Sequence, residues 1–177
     1  GGTQVDSGDM RVAVIDDVNV TATVPTSLTF TVAGVASGTA NANDEAGTTD
    51  VTTTATSIPW GTLAADTRKE ASQTLTVATN ATGGFTVTVY QNQDLTNGSG
   101  DTINGFADGV NSAAAVWASP TAVLDSVDTY GHEGITSTDS SLSGGDTFGA
   151  ALYDMLGTSA SPLEIFYHTG PADGATA

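Results

Sequence analysis

The residues with the most versatile chemistry in this 177-residue chain are His132, Glu133 and His168. An imidazole beside a carboxylate suits zinc binding or proton transfer. The spacing does not support either use, because His132-Glu133 lacks the second histidine one helical turn on that a zincin motif needs. No G-x-S-x-G elbow and no phosphate-binding glycine loop is present. Without a cysteine, the chain has neither disulfides nor thiolate metal sites. The chain therefore reads as non-enzymatic.

Oxygen chemistry is better represented. Asp94, Asn97, Ser99 and Asp101 cluster in DLTNGSGD, with glycines that let the backbone curl. Hard cations prefer such carboxylate and carbonyl oxygens, so calcium is the one cofactor the segment suits. Asp44, Glu45 and Asp50 make a second acidic cluster, and neither follows the EF-hand pattern. Asn19, Asn80 and Asn97 each begin an N-x-[ST] sequon and are candidate glycosylation sites. Trp60, Trp117, Tyr90 and Tyr130 offer stacking faces for sugar, but with aromatics at 6% of residues a core role is more economical.

Charge narrows the partners. Twenty acidic residues against three basic ones, Arg11, Arg68 and Lys69, leave a formal net charge of −17. Phosphate backbones need neutralising cations, so nucleic acid is excluded as a partner. Anionic membrane surfaces are disfavoured on the same ground, and no apolar run is long enough for membrane insertion as a helix. Low lysine, about one threonine in six residues and abundant glycine suggest an exported protein at a bacterial or archaeal cell surface. The start at Gly1-Gly2 fits a chain from which a signal peptide has been removed.

The elements that must carry these residues are strands. Met10–Val32 is a long alternating run, interrupted at Asp16 and Asp17: Val12, Val14, Val18, Val20, Ala22 and Val24 lie on even positions, followed by Leu28, Phe30 and Val32 after Pro25. A period of two places one set on one face of an extended chain. Strands average about five or six residues, so this run reads either as two in-domain strands bent at Pro25 or as a donor strand followed by an in-domain one. Leu75–Tyr90 reads as a hairpin around Asn80–Gly84. Pro162–His168 reads as the last strand, and Phe148–Leu156 has the spacing of one short helix. Gly34–Asp50, Gln91–Gly109 and Thr121–Gly149 are long polar excursions. The fold class expected is all-β, an antiparallel β-sandwich (Ig-like or jelly-roll-like) of six or seven strands with long polar loops. Residues 1–24 form a leader and candidate donor strand, and residues 25–177 the sandwich.

The segments IPWGTL and QTLTVATNATGGFTVTVYQNQDL, together with Trp117–Pro120, Asp128–His132 and Phe166–Gly174, resemble a group of uncharacterised exported bacterial proteins. That resemblance implies secreted Ig-like sandwiches that continue for two more strands, so one sheet here is expected to lack a partner. In architecture and composition the chain also resembles strand-complemented subunits of extracellular fibres, TasA-like and bundling-pilus proteins.

These readings converge on a structural subunit of an extracellular filament, with identical subunits as partners. An edge strand templates another chain, and Val12, Val14, Val18, Val20 and Val24 would be the donor's inward knobs. A head-to-tail contact of that kind does not close on itself and builds a filament. The alternative is a monomeric cell-surface adhesin or carbohydrate-binding sandwich, with a glycan or cell-surface contact in place of the homopolymer.

Overall fold

In the computed structural model, the described residues are 22–41, 43, 47–65, 67–106, 114–117, 132–139, 142–143, 148–149 and 151–176. They form ten strands: β1 (Leu28–Gly34), β2 (Gln73–Thr79), β3 (Phe85–Val89), β4 (Leu95–Thr96), β5 (Thr102–Gly105), β6 (Ala115–Val116), β7 (His132–Glu133), β8 (Leu152–Tyr153), β9 (Leu163–His168) and β10 (Ala172–Thr176). The all-β class holds. The sheets are small and not closed: β1-β2-β10, β3-β9, β4-β5-β7 and β6-β8. Among the described residues no helix is long and apolar enough to cross a membrane.

β1 and β2 pair antiparallel over seven positions, from Leu28 opposite Thr79 to Gly34 opposite Gln73. Directly opposed residues lie on one face of a sheet, so Leu28, Phe30 and Val32 share a face with Thr79, Val77 and Leu75. β10 takes the other edge of β2, with a register shift between Ala172 and Ala175. Val77 (1% exposed), Phe85 and Phe166 form one core, with Leu75, Val87, Ala172 and Ala175 packed against it. Side chains from the β1-β2-β10 and β3-β9 sheets thus meet in a single cluster. Phe85 and Phe166 pack edge to face with ring centroids 4.9 Å apart, an arrangement their quadrupoles favour.

The expected Leu75–Tyr90 hairpin is not formed. Both edges of β2 are already taken by β1 and β10, so β3 has no edge of β2 to join and pairs with β9 instead. Residues 80–84 therefore carry the chain from one sheet to the other. Gly84 makes this turn with φ +72°, and a Cβ there would run into the backbone carbonyl of His168. The short helix expected in Phe148–Leu156 is also absent from the described residues: Ala151 has φ 59°, and Leu152–Tyr153 is strand β8. A left-handed residue in the middle of the segment is incompatible with a right-handed helix. Pro162–His168, expected to be the last strand, is followed by one more, β10.

The polar stretch after β1 is not simply solvated. Thr49 and Thr53 are buried. Thr53 Oγ1 accepts from the Val35 amide at 2.8 Å and donates to the Ser72 carbonyl at 2.6 Å. These bonds tie residues 49–54 to the Gly34 end of β1 and to the start of β2, because buried polar groups must be paired. A second cluster joins Leu142, Phe148 and Leu163 at the start of β9, with Val89, Ile135 and Ile165 packed against it.

The Gly84 geometry predicts that Gly84→Ala lowers unfolding free energy by about 2–4 kcal/mol through left-handed strain and steric clash. Gly83→Ala, with nothing within 4 Å of its Cβ position, should change it by less than about 1 kcal/mol. Urea denaturation of both variants distinguishes the two effects.

Candidate functional site

The most unusual surface of the molecule is the apolar row of β1. Phe30 is 47% exposed and Leu28 59% exposed, although Phe30 lies directly opposite Val77, which is 1% exposed. Neighbours on one face of one sheet therefore differ from fully buried to half open. Isolated exposed apolar residues are ordinary, whereas a contiguous exposed row on the core-facing side of a sheet points to a contact surface.

Both ends of this row are fixed. At its Gly34 end stand the Thr53 bonds. At its Leu28 end, Asn80 acts as a clamp: its Oδ1 accepts from the Ser27 amide at 2.8 Å, and its Nδ2 donates to the Pro25 carbonyl at 2.9 Å. Thr79 Oγ1 adds a bond to the Ser27 carbonyl at 2.7 Å. The chain is held in line from β1 back to Pro25, and Val24 stands 77% exposed beyond it. Of the donor residues, Val24 is described in this position, while Val12, Val14, Val18 and Val20 lie outside the described residues, as does Asn19. Asn80, read from sequence as a glycosylation site, is exposed and carries this clamp.

The oxygen-rich segment is organised as a turn. Asn97 Oδ1 accepts from the amides of Ser99 at 2.8 Å and Asp101 at 2.9 Å, and Asn97 Nδ2 donates to Asp101 Oδ2 at 2.6 Å. This is the side-chain-capped turn that asparagine favours, and it joins β4 to β5. The side chains of Asn97 and Asp101 are thus engaged with one another and with the turn backbone. Asp94 is directed elsewhere, accepting from Gln91 Nε2 at 3.1 Å. Among the described residues, no group of three or more His, Cys, Asp or Glu is placed to hold a metal.

Asp94 instead influences Glu133. Burial and the nearby Asp94 charge, in that order, push the Glu133 carboxyl from 4.5 to about 7, against a lowering hydrogen bond from Gln91. Its neighbour His132 belongs to an aromatic cluster. The ring packs edge-on to Trp117 at 4.6 Å and to Phe106 at 5.3 Å, and Trp117 stacks on Phe106 at 4.9 Å. His168 lies at the far end of β9, stacked on Phe85 at 6.0 Å. The two histidines thus serve different aromatic packings. Trp117 is a packing residue, as its economy suggested, whereas Tyr90 is exposed and Tyr130 lies outside the described residues.

A folded-state pKa above the unfolded one means the native protein holds the Glu133 proton more tightly between about pH 4.5 and 7. Its contribution to stability is therefore greatest below pH 4.5 and is lost as pH rises to about 7. Glu133→Gln should remove this slope and, at pH 8, exceed the wild type by about 1 kcal/mol after allowance for solvent screening. Denaturant midpoints across pH 4–8 measure it. Comparison with protein-family models, curated proteins and solved structures finds no match to this chain.

Proposed function

We propose that the protein is the structural, non-enzymatic subunit of an extracellular filament or surface polymer, joined to identical subunits by β-strand addition. The single observation carrying this reading is the half-open row Leu28–Phe30 beside fully buried Val77. Such a row is an incomplete layer, and another strand is the element whose alternating side chains match it. The chain has a suitable strand in surplus: the alternating Val12, Val14, Val18, Val20 and Val24 run that precedes β1. The sheets that share the Val77, Phe85 and Phe166 core would then be the two layers of a sandwich completed between subunits.

A net charge of −17 opposes close subunits. Assembly should therefore strengthen as salt screens the carboxylates or as mild acid protonates them. Sedimentation across 10 mM to 500 mM salt and electron microscopy of the pellet test the reading. Polymer is expected at the higher salt, and deletion of Gly1–Val24 should leave monomers that keep their β-rich circular dichroism. Polymer from the deleted chain, or a wild type that stays monomeric in every condition, would overturn it.

A further inference from the structure

Resting on that strand-addition reading, we infer that the acceptor is a one-strand gap beside β3 and beneath β1, filled by the Val18–Val24 segment of a second copy. The position of the gap follows from how the two sheets are joined. Residues 80–84 carry β2 straight into β3, and residues 169–171 carry β9 straight into β10. The shared core agrees with this stacking, since Val77 of β2, Phe85 of β3 and Phe166 of β9 are in one cluster, with Ala172 and Ala175 of β10 packed on it. β3 therefore underlies β2, and β9 underlies β10. In the order β1-β2-β10, nothing of the β3-β9 sheet is left to underlie β1.

Two features mark the gap as the width of one strand. Its roof is the single strand β1, whose Phe30 is half exposed beside fully buried Val77. Its wall is the outer edge of β3, which pairs with no second strand among the described residues and ends where Tyr90 bridges Gly157. Strands in a sheet are spaced about 4.8 Å apart, so one added strand would pair with β3 and cover the row above it. The residue of β3 that packs on this core next to the edge, Val87, remains partly exposed, consistent with a wall that has lost its neighbour.

The sequence of the chain selects the occupant. Val18–Val24 (VNVTATV) spans seven residues, as β1 does, has four apolar side chains on alternate positions and carries no charge. An uncharged strand adds nothing to the repulsion between acidic subunits. The Asn80 clamp argues for a second copy rather than the chain's own segment. Pro25–Ser27 are held in line with β1, so a return beneath β1 would have to turn within residues 18–24. The equivalent turn from β2 to β3 takes five residues, which would consume the apolar run and bring Asp16 and Asp17 to the gap. On this inference, the run of one copy therefore enters the fold of the next.

The test uses full-length chains. Phe30→Lys places a charge in the gap and leaves the donor intact; Val20→Asp does the reverse. Thr31→Lys, on the opposite face of β1, is the control. Each substituted position in β1 is exposed, so circular dichroism and melting temperature should match the wild type. Phe30→Lys and Val20→Asp should each stay monomeric alone and form a one-to-one heterodimer when mixed, read by analytical ultracentrifugation. Thr31→Lys should polymerise normally. Wild-type-like polymer from Phe30→Lys, or no heterodimer from the mixture, would overturn this acceptor while leaving strand addition standing if residues 1–24 are still required. A wild type that stays monomeric, together with a Phe30→Cys variant whose thiol resists modification, would mean that the chain's own segment fills the gap, overturning both readings.

Discussion

Every larger feature of the fold follows from the fact that both edges of β2 are occupied. Hydrogen bonding of a strand is a two-sided resource, and β1 and β10 use both sides. The next strand in the chain cannot extend the sheet and must pair elsewhere. That forces the turn at Gly84, puts Phe85 against Val77 and makes β9 rather than β2 the partner of β3. The first core is the product of this exclusion. A hairpin would instead have placed Phe85 beside β2 in one sheet.

The same exclusion leaves two sheets of unequal size, three strands in one and two in the other. Covering a Leu or Phe side chain fully is worth about 1.5–3 kcal/mol. Leaving Leu28 and Phe30 half open therefore forgoes a stabilisation of the order of a few kcal/mol. The two ends of β1 are tied down by polar bonds at Asn80 and Thr53 rather than by apolar packing. The row is thus held in strand form without being buried. Such pre-ordering lowers the entropy that a binding strand would otherwise have to overcome.

How far the sequence disclosed this depends on the kind of signal. Leu28–Val32, Phe85–Val89 and Leu163–His168 were legible because alternation of large apolar and polar residues is a local property. Asn80–Gly84 announced a reversal, but turn chemistry is silent on whether the chain stays in its sheet, which the pairing of distant residues decides. β10 was invisible because its inward residues, Ala172 and Ala175, are too small to mark a face. The helical spacing at Phe148–Leu156 misled because Ala151 adopts a left-handed conformation, with φ 59°, that spacing does not encode. For the site, Glu133 was noticed only for its histidine neighbour. Its perturbation comes from Asp94 and burial, a relation that exists only in three dimensions. Asn97 and Asp101 were read as ligands by composition, and the fold uses them to fasten a turn.

The Asn80 clamp has a mechanical consequence. Tension applied through the residues before Pro25 arrives along the axis of β1, because the clamp keeps Pro25–Ser27 aligned with that strand. The bonds of an antiparallel pair stand perpendicular to the strands. Such a pull therefore shears the seven-position β1–β2 ladder as a unit instead of peeling it open one pair at a time. The load then passes to β2, the strand anchored on both sides and rooted in the core. A chain of subunits linked through this segment would carry force along its stiffest available path.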